Sequence, residues 1–351
     1  MLDRYAYLNT GTFGPLPRAS VEAMQAVERQ ELENGRSSRA YFEQVLAQRE
    51  ELRAAFAGLL ASQPEQVALT ASTTEGCNIV LRGLGIGPDD EVVTTDSEHP
   101  GLMGGLVVSG AALRIAEVRD LPVGNVLDAI QSCITSRTRL VALSHVSWIT
   151  GAAFPVRELA GRGVPVLVDG AQAAGAVPVD VEELGVDFYT VSAQKWLLGP
   201  ASTGALYVAP DRLDECRVAC PSYFSWKLPD YELKDTAVRF EGSWTPPASV
   251  AGLLSSFAFA TEAGEERFAR AGEAASRCRA LLLEHGAEVV TEPGQATLVS
   301  WRVEDSEAVV ERLAGRDVVV RDLPGTGLVR ASCGYWTSEG DLERLVTALK
   351  A

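Results

Sequence analysis

The chain has 351 residues, and its 31 Lys plus Arg stand against 47 Asp plus Glu, for a formal net charge of −16. At roughly 100–200 residues per domain, this length predicts two or three domains. Apolar content of 46% and charged content of 22% describe a globular protein that can bury a large core without staples. So acidic a chain repels nucleic acid and anionic membranes, so neither is expected as a partner; a few backbone N–H groups can still hold a phosphate locally. The opening MLDRYAYLNTG carries no apolar run of signal-peptide type, and no stretch of about 18 apolar residues predicts a membrane span. Six cysteines, at 77, 133, 216, 220, 278 and 333, are scattered and read as reduced thiols of a cytoplasmic protein. With three His and no zinc-finger spacing around Cys216 and Cys220, no metal is expected.

In chain order, residues 19–34 and 38–61 read as amphipathic helices, the second carrying Phe42, Val45, Leu46, Leu52, Phe56 and Leu59 at helical spacing. Strands are predicted at 67–70, 91–95, 112–116, 140–144, 164–169, 188–192 and 205–208. Several are nearly continuous apolar runs, the signature of strands buried on both faces. Helices at 74–84, 123–135 and 155–161 fall between them, so the alternation predicts an α/β domain with a mostly parallel sheet. Residues 210–248 are irregular, with Pro221, Pro229, Pro246 and Pro247 and the aromatic group Tyr223, Phe224, Trp226 and Tyr231. That group reads as a hydrophobic cover on a loop, or as a substrate-gating or subunit-contact segment. One long helix is expected from about 248 to 285. A smaller α+β unit follows, with strands at 287–291, 296–303, 317–321 and 327–332 and helices at 305–314 and 338–350.

In open α/β sheets, ligands bind beyond the carboxyl ends of the strands, and four polar clusters fall there. Ser72, Thr73, Thr74 and Glu75 follow the first strand; they form either an anion seat at a helix N-terminus or an ordinary N-cap. His99 in Asp96-Ser97-Glu98-His99-Pro100 is either a turn residue or a site residue. Asp169, directly after a buried strand, needs a cation or solvent, or closes an Asx turn. Lys195, between apolar neighbours, is either a solvated surface lysine or a desolvated amine that loses its proton easily and becomes a nucleophile.

Taken together and in this order, these clusters carry a resemblance. The run LVDGAQAAGAVPVDVEELGVDFYTVSAQKWLLGPASTGALYV, residues 167–208, resembles the lysine region of class V aminotransferase-type pyridoxal-phosphate (PLP) enzymes of fold type I. Cysteine desulfurases, kynureninases and isopenicillin N epimerases share it. The separation of 26 between Asp169 and Lys195 fits, and the likeness extends from YLNTGTFGP to VRASCGYWTSEGDLERL. It implies the PLP-dependent transferase fold type I: a large PLP-binding domain at 18–247, a small C-terminal α+β domain at 248–351, and an N-terminal segment at 1–17 packed near the small domain and the active site. It implies a homodimer with shared active sites and an amino-acid substrate. Lys195 would form the Schiff base with the cofactor and carry the proton. Asp169 would pair with the pyridine nitrogen, Gln172 would lie near the phenolic oxygen, and His99 would stack on the ring and act as acid or base. Thr73, Thr74 and Ser192 would bind the phosphate. Arg330 would hold the substrate carboxylate, a task suited to a bidentate guanidinium, with Asn9 and Thr10 nearby.

Three departures bear on the site. Gln194 stands where many relatives carry His before the lysine, in contact with phosphate or substrate. Trp148 stands in Ser-His-Val-Ser-Trp where desulfurases have Asn; an indole donates one hydrogen bond and accepts none, so the pocket there should favour an apolar or aromatic group. The relatives' Phe-Glu-Ala-Gly-Thr reads Phe240-Glu241-Gly242-Ser243-Trp244, so Ser243 or Thr245 would replace the threonine that reaches the neighbouring subunit's phosphate. The segment 316–327, where desulfurases carry their catalytic thiol, has no Cys. The expected activity is therefore that of an aminotransferase or C–S lyase, with epimerase-like racemisation, desulfurase-like sulfur chemistry or a non-catalytic cofactor-binding relative as alternatives. A nucleotide-binding oxidoreductase would need Gly-x-Gly-x-x-Gly after the first strand. Gly83-Leu84-Gly85-Ile86-Gly87 follows a helix and lacks that spacing.

Overall fold

A computed structural model describes residues 1–350. The strands are β1 (Ala6–Tyr7), β2 (Val67–Thr70), β3 (Glu91–Thr95), β4 (Ala112–Ala116), β5 (Thr138–Ser144), β6 (Val166–Asp169), β7 (Phe188–Ser192), β8 (Gly204–Val208), β9 (Trp226–Lys227), β10 (Glu232–Leu233), β11 (Glu288–Val289), β12 (Leu298–Arg302), β13 (Val318–Val319), β14 (Arg321–Leu323) and β15 (Leu328–Ser332). The helices are α1 (Arg18–Asn34), α2 (Arg39–Leu59), α3 (Thr73–Gly83), α4 (Pro100–Ser109), α5 (Val123–Ser132), α6 (Val156–Leu159), α7 (Val181–Leu184), α8 (Pro247–Glu262), α9 (Glu266–Glu284), α10 (Ser306–Ala314) and α11 (Glu339–Lys350).

The main sheet runs β2-β8-β7-β6-β5-β3-β4. Only β8 runs against its neighbours; every other adjacent pair is parallel. Apolar residues alternate between its faces: Val141, Leu143, Val166 and Val168 enter one core, while Leu140, Ala142 and Leu167 enter the core on the other face. Strands covered on both faces explain the continuous apolar runs. Parallel strands also put their carboxyl ends on one edge, which is where the polar clusters gather.

The smaller sheet, β11-β12-β15-β14, is antiparallel and packs α9, α10 and α11 around Val299, Trp301, Leu282 and Leu345. The N-terminal segment joins this unit. β1 pairs in parallel with β13, Ala6 and Leu8 enter the small core, and Asn9 bridges to Ser332. The chain then crosses to the large sheet, where the Gly14 N–H donates to the Gln194 carbonyl at 2.7 Å.

Two expected elements are divided. The long helix at 248–285 breaks into α8 and α9, because Gly264 takes a left-handed φ of 67° that lets the chain turn. Val250 and Leu253 of α8 lie in the large core, Phe257 meets Phe56 of α2 edge to face at 5.2 Å, and the Ser256 and Ser20 hydroxyls are 2.8 Å apart. Packing thus joins α8 to the large core. The strand expected at 317–321 likewise divides into β13, paired with β1, and β14, paired with β15. No helix among the described residues is long and apolar enough to cross a membrane.

The irregular stretch is anchored by Glu241, a fully buried carboxylate that accepts from Arg49, Arg53 and the Leu69 N–H. A buried charge needs such partners to persist. Phe224 covers the Arg49 guanidinium at 4.1 Å.

Phe56→Ala empties a fully buried site between α2 and α8. It should lower the unfolding free energy by about 3–5 kcal/mol in urea titration. A loss below about 1 kcal/mol would contradict this packing.

Candidate active site

The carboxyl edge of the large sheet and the small sheet enclose a cavity of about 200 Å³. Lys195, in the turn after β7, and Arg330, in the middle of β15, line it from opposite units. Asp169 ends β6 and is buried just behind the lining; its Oδ1 accepts from the Ala171 N–H at 2.9 Å. Burial pushes the Asp169 carboxyl up, and the charge of Lys195 pulls it back down. Burial likewise lowers the Lys195 amine to about 8, against the opposing pull of Asp169, while Arg330 and Arg321 push it lower still. A neutral amine is therefore accessible near physiological pH, and that is the nucleophilic form.

The phosphate-type end is built by α3. Ser72 caps this helix, its hydroxyl accepting from the Glu75 N–H at 3.2 Å, so the ordinary cap is present. Ser72, Thr73 and Thr74 line the cavity, and Ser192 faces them, its Oγ accepting from the Thr73 N–H at 2.9 Å. The positive end of α3 and these hydroxyls suit a dianion. A Cβ at Gly101 would collide with Thr74 Oγ1, so that glycine lets α4 approach α3.

His99 caps α4, with Nδ1 accepting from the Gly101 N–H at 3.0 Å. Burial first, then the positive field of Lys195 and both arginines, lowers its pKa to about 4. The ring is thus neutral at pH 7 and carries its proton on Nε2. Gln172 is pinned at both ends: Trp196 Nε1 donates to its Oε1 and its Nε2 donates to the Gly11 carbonyl, each at 2.9 Å. An indole N–H can only donate, so the amide orientation is determined. Gln194 lines the cavity with a buried Oε1 that has no partner, and the buried Trp148 Nε1 has none either. The Trp148 carbonyl accepts from Arg330 Nη1 at 2.7 Å.

The cavity thus gathers Thr73, Thr74, His99, Trp148, Gln172, Ser192, Gln194, Lys195 and Arg330. Asn9 and Thr10 do not line it. Asn9 Oδ1 is taken by the Thr12 hydroxyl at 2.7 Å, and Thr10 is buried away from it; Gly11, Thr12 and Phe13 form the wall instead. Ser243 and Thr245 lie on the anchored loop outside this chain's cavity.

Arg321 was not singled out from the sequence, yet it lines the cavity. It pairs directly with Arg330 across β14 and β15, around the Pro324-Gly325-Thr326-Gly327 turn. Directly opposed residues on antiparallel strands share a face. Counting outward from that Pro-Gly turn is the signal that could have found it. Arg321 Nη1 donates to Thr12 Oγ1 at 2.9 Å. Burial, reinforced by Arg321, lowers Arg330 to about 9.

The donor set fits PLP: an activated amine for the aldehyde, a buried carboxylate for the pyridine nitrogen, and a hydroxyl-lined helix N-terminus for the phosphate. Fold and site together define a PLP-dependent enzyme of fold type I acting on amino acids. The aminotransferase class-V family model matches residues 6–345, and the chain belongs to that family. Its structure superposes with a TM-score of 0.94 and 31% identity on the cystine C-S lyase C-DES in complex with its reaction product cysteine persulfide, covering 99% of this chain and 98% of the other. A mutant of C-DES with glycine covalently linked to the PLP cofactor superposes at 0.92 with 30% identity, covering 99% and 97%. Isopenicillin N epimerase of Streptomyces clavuligerus is 28% identical over 98% of this chain and 94% of its own length.

Cofactor-free protein should take up PLP faster as pH rises, with a half-point at about 8, because only the neutral Lys195 amine attacks. Borohydride trapping followed by mass spectrometry should place the label on Lys195, and Lys195→Ala should abolish it. Uptake independent of pH, or a label on another residue, would contradict the assignment.

Proposed function

We propose that this enzyme is a C–S lyase for an amino acid bearing a second carboxylate, with cystine as the test substrate. The opposed Arg321–Arg330 pair carries this reading. Like charges placed directly opposite each other destabilise a sheet. Neither guanidinium has an acidic partner among the described residues; their side-chain bonds go to the Trp148 carbonyl and the Thr12 hydroxyl. Two cations turned to one cavity suit an anionic ligand at each, so Arg330 takes the carboxylate beside the reacting carbon and Arg321 takes the distal one. The likeness to a cystine C-S lyase over the whole chain supports the same substrate class.

PLP, when bound, supplies an electron sink for the bonds at the substrate's Cα. Lys195 Nζ takes the Cα proton in its neutral form and returns it as the ammonium. Asp169 keeps a positive charge at the ring nitrogen's position, and His99 presents its Nε2–H as a neutral donor. Thr73, Thr74 and Ser192 would seat the phosphate, Gln172 Nε2 keeps one hydrogen that would serve the phenolic oxygen, and Gln194 adds a buried free acceptor. Trp148 flanks the substrate side chain. Loss of the sulfur group at Cβ converts cystine and water to cysteine persulfide, pyruvate and ammonia. No cysteine lines the cavity among the described residues, which favours release of the sulfur product over its capture on an enzyme thiol.

The working unit is a homodimer in this reading. Tyr223, Tyr231, Trp244 and Phe42 are exposed around the loop that Glu241 anchors, and Trp244 stacks edge to face on Phe42 and Phe224. A second copy covering that surface would receive Ser243 or Thr245 at its phosphate. The six unpaired cysteines suit a reducing, cytoplasmic setting.

L-Cystine should yield pyruvate and persulfide in equal amounts. Arg321→Gln should raise KM for cystine by about 10- to 100-fold while barely changing turnover of S-methylcysteine, which has one carboxylate. Equal losses on both substrates would remove the distal-carboxylate role. Loss of optical rotation without pyruvate would instead mark a racemase.

A further inference from the structure

Glu98 is buried, does not line the cavity, and has no part in the chemistry above. Its carboxyl group sits between the carboxyl ends of β3 and β5. Oε1 accepts from the Thr95 hydroxyl at 2.6 Å; Oε2 accepts from the Ser144 N–H at 2.9 Å and the Ser144 hydroxyl at 2.6 Å. One residue earlier, the Ser97 and Ser147 hydroxyls lie 2.7 Å apart, and Ser147 Oγ also accepts from the Ile149 and Thr150 N–H groups. The two loops are therefore tied at two successive points.

Each tie adjoins a residue of the cavity wall. His99 follows Glu98, and Trp148 follows Ser147. Their rings meet edge to face with centroids 5.2 Å apart, and the Trp148 carbonyl holds Arg330. Closing two strand ends does not by itself call for an acid. An apolar side chain would do so without the desolvation cost of a carboxyl. That cost is visible here: burial, with the negative charge of Asp169 adding to it, lifts Glu98 to about 7 against the pull of its hydroxyl donors. What the carboxyl provides is three short bonds of defined direction at the point where the His99 turn begins.

We infer that Glu98 is a positioning residue: together with the Ser97–Ser147 contact, it clamps the loops after β3 and β5 so that His99, Trp148 and, through the Trp148 carbonyl, Arg330 keep their places around the cavity. The inference rests on reading that cavity as the cofactor and substrate site. It adds a residue to the reaction that acts only through its neighbours.

Glu98→Ala removes the clamp. Glu98→Gln keeps it, since the amide oxygen can take both Ser144 donors while the amide nitrogen donates to the Thr95 hydroxyl. The first readout needs no cofactor. With three His in the chain, 15N resonances can be assigned, and His99 should show one tautomer, protonated at Nε2, in the unaltered protein and in Glu98→Gln. Glu98→Ala should show averaged tautomers. The second readout is PLP affinity in a double-mutant cycle. Glu98→Ala should weaken it by a factor on the order of 10 in the parent and by less than about 2 in a His99→Asn background. It should also raise KM more than it lowers kcat, through Arg330, with Glu98→Gln restoring both. If Glu98→Ala does not fold, Ser144→Ala removes one of its donors and replaces it in each arm. A fixed His99 tautomer in Glu98→Ala, or equal losses of affinity in both backgrounds, would overturn the inference. If the parent itself fails to bind PLP, the cofactor reading falls while the tautomer still decides the clamp.

Discussion

The structure turns on two opposite charges that act on each other at the site, the Lys195 ammonium and the buried Asp169 carboxylate. Each is penalised by its own burial, and each is partly relieved by the other. Neighbouring parallel strands bring them into one region: β6 ends on Asp169, β7 runs beside it, and Lys195 lies three residues past Ser192. The balance leaves the lysine amine within reach of neutrality, whereas a solvated lysine would hold its proton. Gly14 packs against the carbonyl of Lys195, where any Cβ would collide, so the N-terminal segment closes directly over the reactive turn.

Around that pair the site is positive inside a strongly negative molecule. Lys195, Arg321 and Arg330 share one cavity, and burial, reinforced by their mutual field, depresses His99 and Arg330 as well as the lysine. Repulsion of this kind is tolerated where a bound anion relieves it, and a cofactor phosphate with one or two substrate carboxylates would do so. The overall acidity of the surface and the local charge of the site act at different distances, because exposed charges are screened within about 10 Å while buried ones are not. The rigidity around these cations comes from backbone and amide bonds. Gly11 carries the Gln172 bond while its missing Cβ leaves room for Arg330 Nη2, which would lie 2.8 Å from it.

Much of this was legible in the chain. The apolar runs of β5 to β8 show on their own that these strands are buried on both faces, and the mostly parallel order follows from the helices between β2 and β7. Asp169, Lys195, His99 and the Ser72–Thr74 cluster were each readable as polar residues closing such runs, although each alone had a plain structural explanation. Their gathering in and just behind one cavity came from the sheet, which collects strand ends that lie far apart in sequence. Local pattern failed where tertiary contacts decide. The apolar faces of α8 and α9 look continuous, yet α8 packs on α1 and α2 while α9 packs on the small sheet. The strand at 317–321 reads as one run but serves two different sheets.

The sequence by itself determined the element types, the alternation that favours a mostly parallel sheet and the residue chemistry available at its edge, because these depend on periodicity and side-chain type over a few neighbouring residues. Only the tertiary structure decided which of those residues share a cavity and how far burial shifts the lysine and the histidine. Those properties arise from distances and desolvation between segments separated by tens to hundreds of residues, which no local pattern encodes.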